Sequence, residues 1–204
     1  MSDEFICDTR EVRAFIGKVQ AIVASTPSIA ERLAAIRLSF SQVMADPQWL
    51  PNEFRRTYEH GGMGKGIANW LLYRDTAGTL SLSALVLPHG AATPVHDHLA
   101  WGVVGLYVGE QDEEIYEPAA PVQAGDEHSN LRVAEKKHLT AGSFYELIPP
   151  TGDIHRVITT SQEPSISLHL LGNDVGCVLR HSFEPQTGAV APFRSGYTNI
   201  DCEK

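Results

Sequence analysis

His96 and His98 stand one residue apart within residues 90–109, GAATPVHDHLAWGVVGLYVG. Side chains at i and i+2 share a face only where the backbone is extended, because successive side chains of a strand point to opposite sides. The pair therefore demands a strand and brings two imidazoles within reach of one ion. A third imidazole is offered further on by Pro150-Thr151-Gly152-Asp153-Ile154-His155, a turn that leads into an apolar strand over 156–160. His96, His98 and His155 are the candidate metal ligands.

The surroundings agree with a strand. From Ala68 onward the chain breaks into short β-rich segments separated by Gly, Pro, Asn and Asp. They cover 69–74, 80–87, 101–108, 113–117, 130–138, 144–148, 155–160, 165–171 and 177–184, and many short strands at such intervals predict a sandwich or a barrel. The first sixty residues differ. Val12, Phe15, Ile16, Val19, Ile22 and Val23 recur at helical spacing over 9–24. Thr26-Pro27 reads as an N-cap followed by proline at the first helical position. A second helix then carries Ile29, Leu33, Ile36, Leu38 and Phe40 to Met44, and Asp46-Pro47 ends it. With a short helix over 51–57, this segment is expected to cover one face of the β region.

The glycines of His60 to Gly66, HGGMGKG, lack the spacing of a phosphate loop, since Gly66 follows Lys65 where Ser or Thr is needed. A connector accounts for them better.

The two histidine stretches resemble the signature motifs of the cupins, small double-stranded β-helix barrels. The match runs from Gly90 through His-x-His to Gly109, and again over Pro-x-Gly-x-x-His. The resemblance implies a mainly β fold, a jelly-roll barrel with an N-terminal α-helical cap. It also implies a single domain over 1–204: cap 1–60, barrel 68–185, and a tail 186–204 packed on the barrel. Gly102 departs from the pattern, because most metal cupins carry a glutamate ligand there. Three neutral imidazoles with open positions remain, which is similar to the cysteine dioxygenase-like thiol dioxygenases.

Within 165–171, Ile166, Leu168 and Leu170 lie on one face, and Ser165, Ser167, His169 and Leu171 on the other. A polar face on so apolar a strand implies a lined cavity. Thiol dioxygenases carry Ser-x-His-x-Tyr in this place, a relay beside iron; Ser167 and His169 match it, and Leu171 replaces the tyrosine. Their cysteine–tyrosine crosslink would fall at Val103 and Leu171, so it cannot form here. Further stretches, including Trp101-Gly102-Val103-Val104-Gly105 and the tail 192–199, are similar to the bacterial 3-mercaptopropionate dioxygenases. The similarity covers about residues 72–199.

What this resemblance implies is an Fe(II) enzyme that adds both atoms of O2 to a small carboxylate-bearing thiol, giving a sulfinate. Ser167 and His169 would be catalytic, and Arg180, nine residues after Leu171, would clamp the carboxylate. Arg74 competes for that role, and Leu171 and Trp101 would line the substrate site. Two alternatives stay open: a non-catalytic metal-binding cupin, and a cupin dioxygenase of a non-thiol substrate. His60, His89, His128, His138 and His181 have no comparable partners and are expected to be structural or solvent-facing.

Composition narrows the partners. A net charge of −9 without a basic cluster argues against nucleic acid and anionic membrane surfaces. No apolar run is long enough to cross a bilayer and no secretory leader is visible, which points to the cytoplasm. Three widely spaced cysteines, Cys7, Cys177 and Cys202, form no disulfide or zinc pattern and are expected to be reduced, Cys177 as a small buried apolar group. Monomer and homo-oligomer both stay open.

Overall fold

The computed structural model describes residues 2–60 and 62–202; Gly61, within the glycine-rich connector, lies outside them. After a two-residue strand β1 (Glu4–Phe5) come helices α1 (Arg10–Ser25) and α2 (Ile29–Ala45) and a 3-10 turn at Asn52–Arg55. Eleven further strands follow: β2 (Ala68–Arg74), β3 (Ser81–Leu87), β4 (Val95–His96), β5 (Gly102–Val108), β6 (Glu110–Pro118), β7 (Leu131–Thr140), β8 (Phe144–Leu147), β9 (Ile154–Thr159), β10 (Ser165–Leu171), β11 (Arg180–Glu184) and β12 (Ala189–Phe193).

The helices form where the apolar spacing predicts, but their boundary differs. Thr9 caps α1 by accepting the Val12 N–H at 3.1 Å, and Val12, Phe15, Ile16 and Val19 make the buried stripe. Thr26 is not the N-cap of α2. Its N–H closes α1 on the Ile22 carbonyl, and Ser28 caps α2 instead, with Glu31 three residues later as in a capping box. Leu38 points outward and is 70% exposed, whereas Leu33, Ile36 and Phe40 are fully buried.

The strands pair antiparallel into two six-stranded sheets, ordered β1-β2-β3-β10-β5-β8 and β12-β11-β4-β9-β6-β7. The helices cover one face of the first sheet. Val12, Phe15, Leu33, Ile36 and Phe40 share a core there with Leu82, Ala84, Val103, Leu168 and Leu170. Contact is closest at Gly105, where a Cβ would sit 2.8 Å from the Phe40 ring. Because β3 and β10 are central, all their residues are buried, and the alternation sends Ser83, Ser167 and His169 to the face away from the helices.

Strand β1 was not expected, and two others differ from expectation: the strand demanded by the two histidines ends at His96 and leaves His98 on a turn, and β12 stands where a tail is expected. The histidine strand, β4, is too short to show alternation in sequence; β12 contains Pro192 but lies at a sheet edge, where a missing N–H costs no ladder bond.

The cysteines correct the expectation of reduced thiols. Cys177 and Cys202 form a disulfide with Cα atoms 5.2 Å apart, Cys177 is only half-buried, and Cys7 alone is free and buried. The tail explains it. Thr198 and Asn199 bond to the Asn69 and Leu71 backbone, which carries residue 202 back beside the turn before β11. No helix among the described residues is long and apolar enough to cross a membrane.

Two outcomes follow from this packing. Phe40 is fully buried, its ring 6.2 Å from Phe15 and 5.6 Å from Phe144. Phe40→Ala should therefore cost about 3–5 kcal/mol in urea unfolding; a loss below about 1 kcal/mol would mean that the helices do not seal this sheet. In denaturant without reductant, thiol titration should count Cys7 only, and all three cysteines after reduction.

Candidate metal centre and cleft

The register of the second sheet assembles the histidines. In β4, flanked by β9 and β11, His96 stands directly opposite His155 on one side and Ser182 on the other. His98 follows on a turn held by Asp153, whose carboxylate accepts the backbone N–H groups of His98 and Leu99, each at 3.1 Å. Leu99 adopts a φ of 54° there, a conformation that a non-glycine residue enters only when its surroundings impose it.

Each Nδ1 has an outward partner. His96 Nδ1–H donates to Pro94 O at 2.9 Å, His98 Nδ1–H to Asp153 O at 3.3 Å, and His155 Nδ1–H to Glu113 Oε1 at 2.6 Å. That tautomer leaves every Nε2 lone pair facing inward. The ring centroids lie 4.7–5.1 Å apart, and the potential ligand atoms all fall within 4.8 Å of one another. Nε2 of His98 and of His155 are buried without any hydrogen-bond partner. An orphaned buried nitrogen costs about 1–3 kcal/mol, and a cation shared with His96 removes that cost at both rings. Burial, and after it the charges of His155 and Arg180, hold His96 and His98 well below the ordinary imidazole range. Neutral imidazole is the form a metal accepts, so the donors fit an ion.

No carboxylate joins the set among the described residues. At Gly102 a Cβ would lie 2.3 Å from the Leu170 carbonyl and 2.5 Å from a Leu171 methyl, so the strand has no space for a side chain there.

A cleft of about 410 Å3, mouth included, opens beside the histidines. It is lined by His96, His98, His169, Arg180 and Leu171, and also by Asn69, Ser83 and Tyr197. A second, narrow pocket shares His96 and His169 and is lined also by Ser167, Tyr145, His155 and Val157. On β10, Ser167 Oγ lies 2.9 Å from His169 Nε2, and burial, then His155 and Arg180, push the His169 imidazole down to about 3. His169 is thus a neutral hydrogen-bonding group at physiological pH.

Arg180 is 4% exposed. Its Nε donates to Val175 O at 3.3 Å, Nη1 to Asp97 O, and Nη2 to Ser195 Oγ at 3.0 Å. Burial lowers it to about 10, so it stays cationic. These bonds use one N–H on each terminal nitrogen, and no carboxylate among the described residues forms an ion pair with it. A buried guanidinium without an anionic partner is unusual.

Two candidates are not brought to the cleft. Arg74, at the end of β2, pairs with Glu4 at 2.9 Å and Asp174 at 3.3 Å and lines a separate surface depression. Trp101 packs against Gly172 and the helical core, with the Arg32 guanidinium 5.7 Å over its ring. The structure adds other residues. Glu113 accepts Tyr145 O–H at 2.6 Å as well as His155, and although burial opposes its charge, these hydrogen bonds and His155 hold it below the usual range. His181 has a partner after all: its Nδ1 lies 2.6 Å from Asp97 Oδ2, tying the histidine turn to the strand of Arg180. In EQDEE every position is polar, so alternation could not single out Glu113. His89, His128 and His138 lie exposed and away from the cleft, as does His60.

No protein-family model matches the chain. Among solved structures it is similar to an oxalate oxidase in complex with the substrate analogue glycolate, at 15% identity and a TM-score of 0.43 over 63% of this chain and 61% of that one. It is also similar to a protein with a double-stranded β-helix domain from Klebsiella pneumoniae, at 14% identity and a TM-score of 0.42 over 69% and 91%. A third is the cupin domain of Schizosaccharomyces pombe Cnp3, at 12% identity and a TM-score of 0.40 over 54% and 63%. The chain spans less than two thirds of the length of the first and third of these. Likeness of this degree says nothing about activity, which rests on the residues of the cleft.

The buried imidazoles set a pH dependence. His169 titrates near 3 when folded and near 6.5 when unfolded. Between those values the unfolded chain binds more protons, so stability present above pH 6.5 is lost as pH falls toward 3. His96 and His98 act in the same direction. Metal-free protein should melt at progressively lower temperature through this window, with His169→Gln removing part of the slope. A flat melting profile would contradict neutral burial of these rings.

Proposed function

We propose that the chain is a metal-dependent thiol dioxygenase of the cupin type. It converts a small carboxylate-bearing thiol, resembling 3-mercaptopropionate or cysteine, to its sulfinate with O2. The observation that carries this reading is the buried guanidinium of Arg180, with no direct ion pair, close to three buried imidazoles that can share one ion. One end of the cleft suits a carboxylate and the other a cation that binds thiolate.

Fe(II) held by His96, His98 and His155 would supply the positions for thiolate and dioxygen and the oxidation chemistry itself. Both oxygen atoms end on sulfur, which gives up four electrons, so no separate reductant is consumed. The chain's own residues do the rest. Arg180 binds the carboxylate with its two remaining terminal N–H groups, fixing how far the sulfur reaches into the cleft. His169, too weak a base to store a proton near neutrality, donates or accepts a hydrogen bond toward the substrate, with Ser167 holding its Nε2. Leu171 and Val175 exclude water from the carbon chain of the substrate.

The test is oxygen uptake by the Fe(II)-loaded protein with 3-mercaptopropionate, cysteine and the carboxylate-free thiol cysteamine. Uptake matched by sulfinate is expected with a carboxylated thiol, and His155→Ala should abolish it. Arg180→Ala should raise KM for that thiol by about 10- to 100-fold, the equivalent of one charge-assisted hydrogen bond, and change cysteamine turnover little. Stoichiometric metal with no uptake from any thiol would instead favour a binding module or a dioxygenase of another substrate class.

A further inference from the structure

The three ligand imidazoles are not held alike. Two of them give their Nδ1–H to neutral carbonyls, Pro94 O at 2.9 Å and Asp153 O at 3.3 Å. His98 Nδ1 also stands 3.3 Å from Asp153 Oδ1, whereas His155 alone donates a hydrogen bond directly to a carboxylate oxygen, Glu113 Oε1, and at the shortest distance, 2.6 Å. Glu113 is 1% exposed, and its Oε1 takes a second hydrogen bond from Tyr145 O–H at 2.6 Å. Its other oxygen, Oε2, is buried with no partner at all. The anion is therefore committed to one ring and one phenol.

A carboxylate that accepts the far N–H of a ligand imidazole draws that proton toward itself and makes the opposite nitrogen a better electron donor. At Gly102 the backbone leaves no space for an acidic ligand. Glu113 stands one ring further out and sends negative charge to the centre through His155. Tyr145 works against it, because its O–H occupies the same oxygen and withdraws part of the density offered to the imidazole. Lys137 lies over the Tyr145 ring, 5.8 Å from its centroid, but makes its ion pair with Glu135.

We propose that Glu113 and Tyr145 are a pair of positioning residues that set the donor strength of His155, Glu113 raising it and Tyr145 moderating it. The inference rests on the metal-binding part of the function proposed above and not on the thiol. It assigns the two residues opposite signs, which a purely structural role for either would not produce.

The experiment measures two quantities without turnover: the affinity for Co2+ or Zn2+, and the Fe(III)/Fe(II) midpoint potential of the thiol-free iron protein. Glu113→Gln should weaken divalent metal binding by about 10- to 100-fold and raise the potential, since the amide donates less charge through His155. Tyr145→Phe should lower the potential and leave metal binding at least as tight. Shifts of the two variants in the same direction, or no shift in either, would overturn the proposal. Thermal melts check that both variants fold. If Glu113→Gln does not, Tyr145→Phe decides alone: a lowered potential supports the device, and a raised or unchanged one refutes it. Opposite shifts in a protein that oxidises no thiol would uphold this inference while removing the function proposed above.

Discussion

Everything at the centre depends on one antiparallel register, His96 opposite His155 across β4 and β9. The strand β4 is only two residues long and could not hold a position alone. It is fixed from both sides, by β9 and by β11, and β11 is also the strand that begins with Arg180. The same pairing that brings two imidazoles together therefore sets how far the guanidinium stands from them. Asp97, between the two histidines in sequence, reinforces this: its side chain turns away from the ligands to hold His181, and its backbone carbonyl accepts from Arg180. A one-residue slip would reverse the faces of all these side chains at once.

The first sheet contributes its central strand in the same way. Packing of α1 and α2 settles which face of β10 is apolar, and Ser167, His169 and Leu171 are what remains on the other. Tight contact of α2 at Gly105 and of β10 at Gly102 leaves β5 without bulk on either face at these points. The close fit between β5 and β10 thus has a chemical result, since it leaves no room for an acidic side chain at Gly102.

How much of this is legible in the sequence depends on how local the cause is. Histidine spacing on an extended chain, the turn before His155 and the split faces of β10 are short-range patterns, and they read directly. So do the helical stripes, although Thr26 misleads because it closes one helix rather than opening the next. The disulfide does not read, because residues 177 and 202 meet only through the tail's bonds to Asn69 and Leu71. Arg74, a candidate through the family resemblance, and Trp101, close to the histidines in sequence, have partners from other segments, Glu4 and Asp174 for the one and Arg32 for the other. Glu113 and Tyr145 lie on different strands, and only the fold brings their side chains together beside His155.

The electrostatics of the cleft follow from these placements. Arg180 stays charged when buried, and desolvation, then His155 and Arg180, hold His96, His98 and His169 below the ordinary imidazole range. Neutral rings with orphaned nitrogens then favour a cation, although a cation beside a buried guanidinium multiplies unpaired positive charge. Glu113, through His155, balances part of it at one end. At the other end Asp97 and Asp153 offset part of the Arg180 charge, but neither forms an ion pair with it. A ligand that carries two negative groups, one for each positive centre, removes the imbalance, whereas a neutral ligand or a simple cation leaves it in place. The thiolate-carboxylate substrate proposed above is such a ligand, and Leu171 and Val175 give the cleft apolar surface suited to its carbon chain.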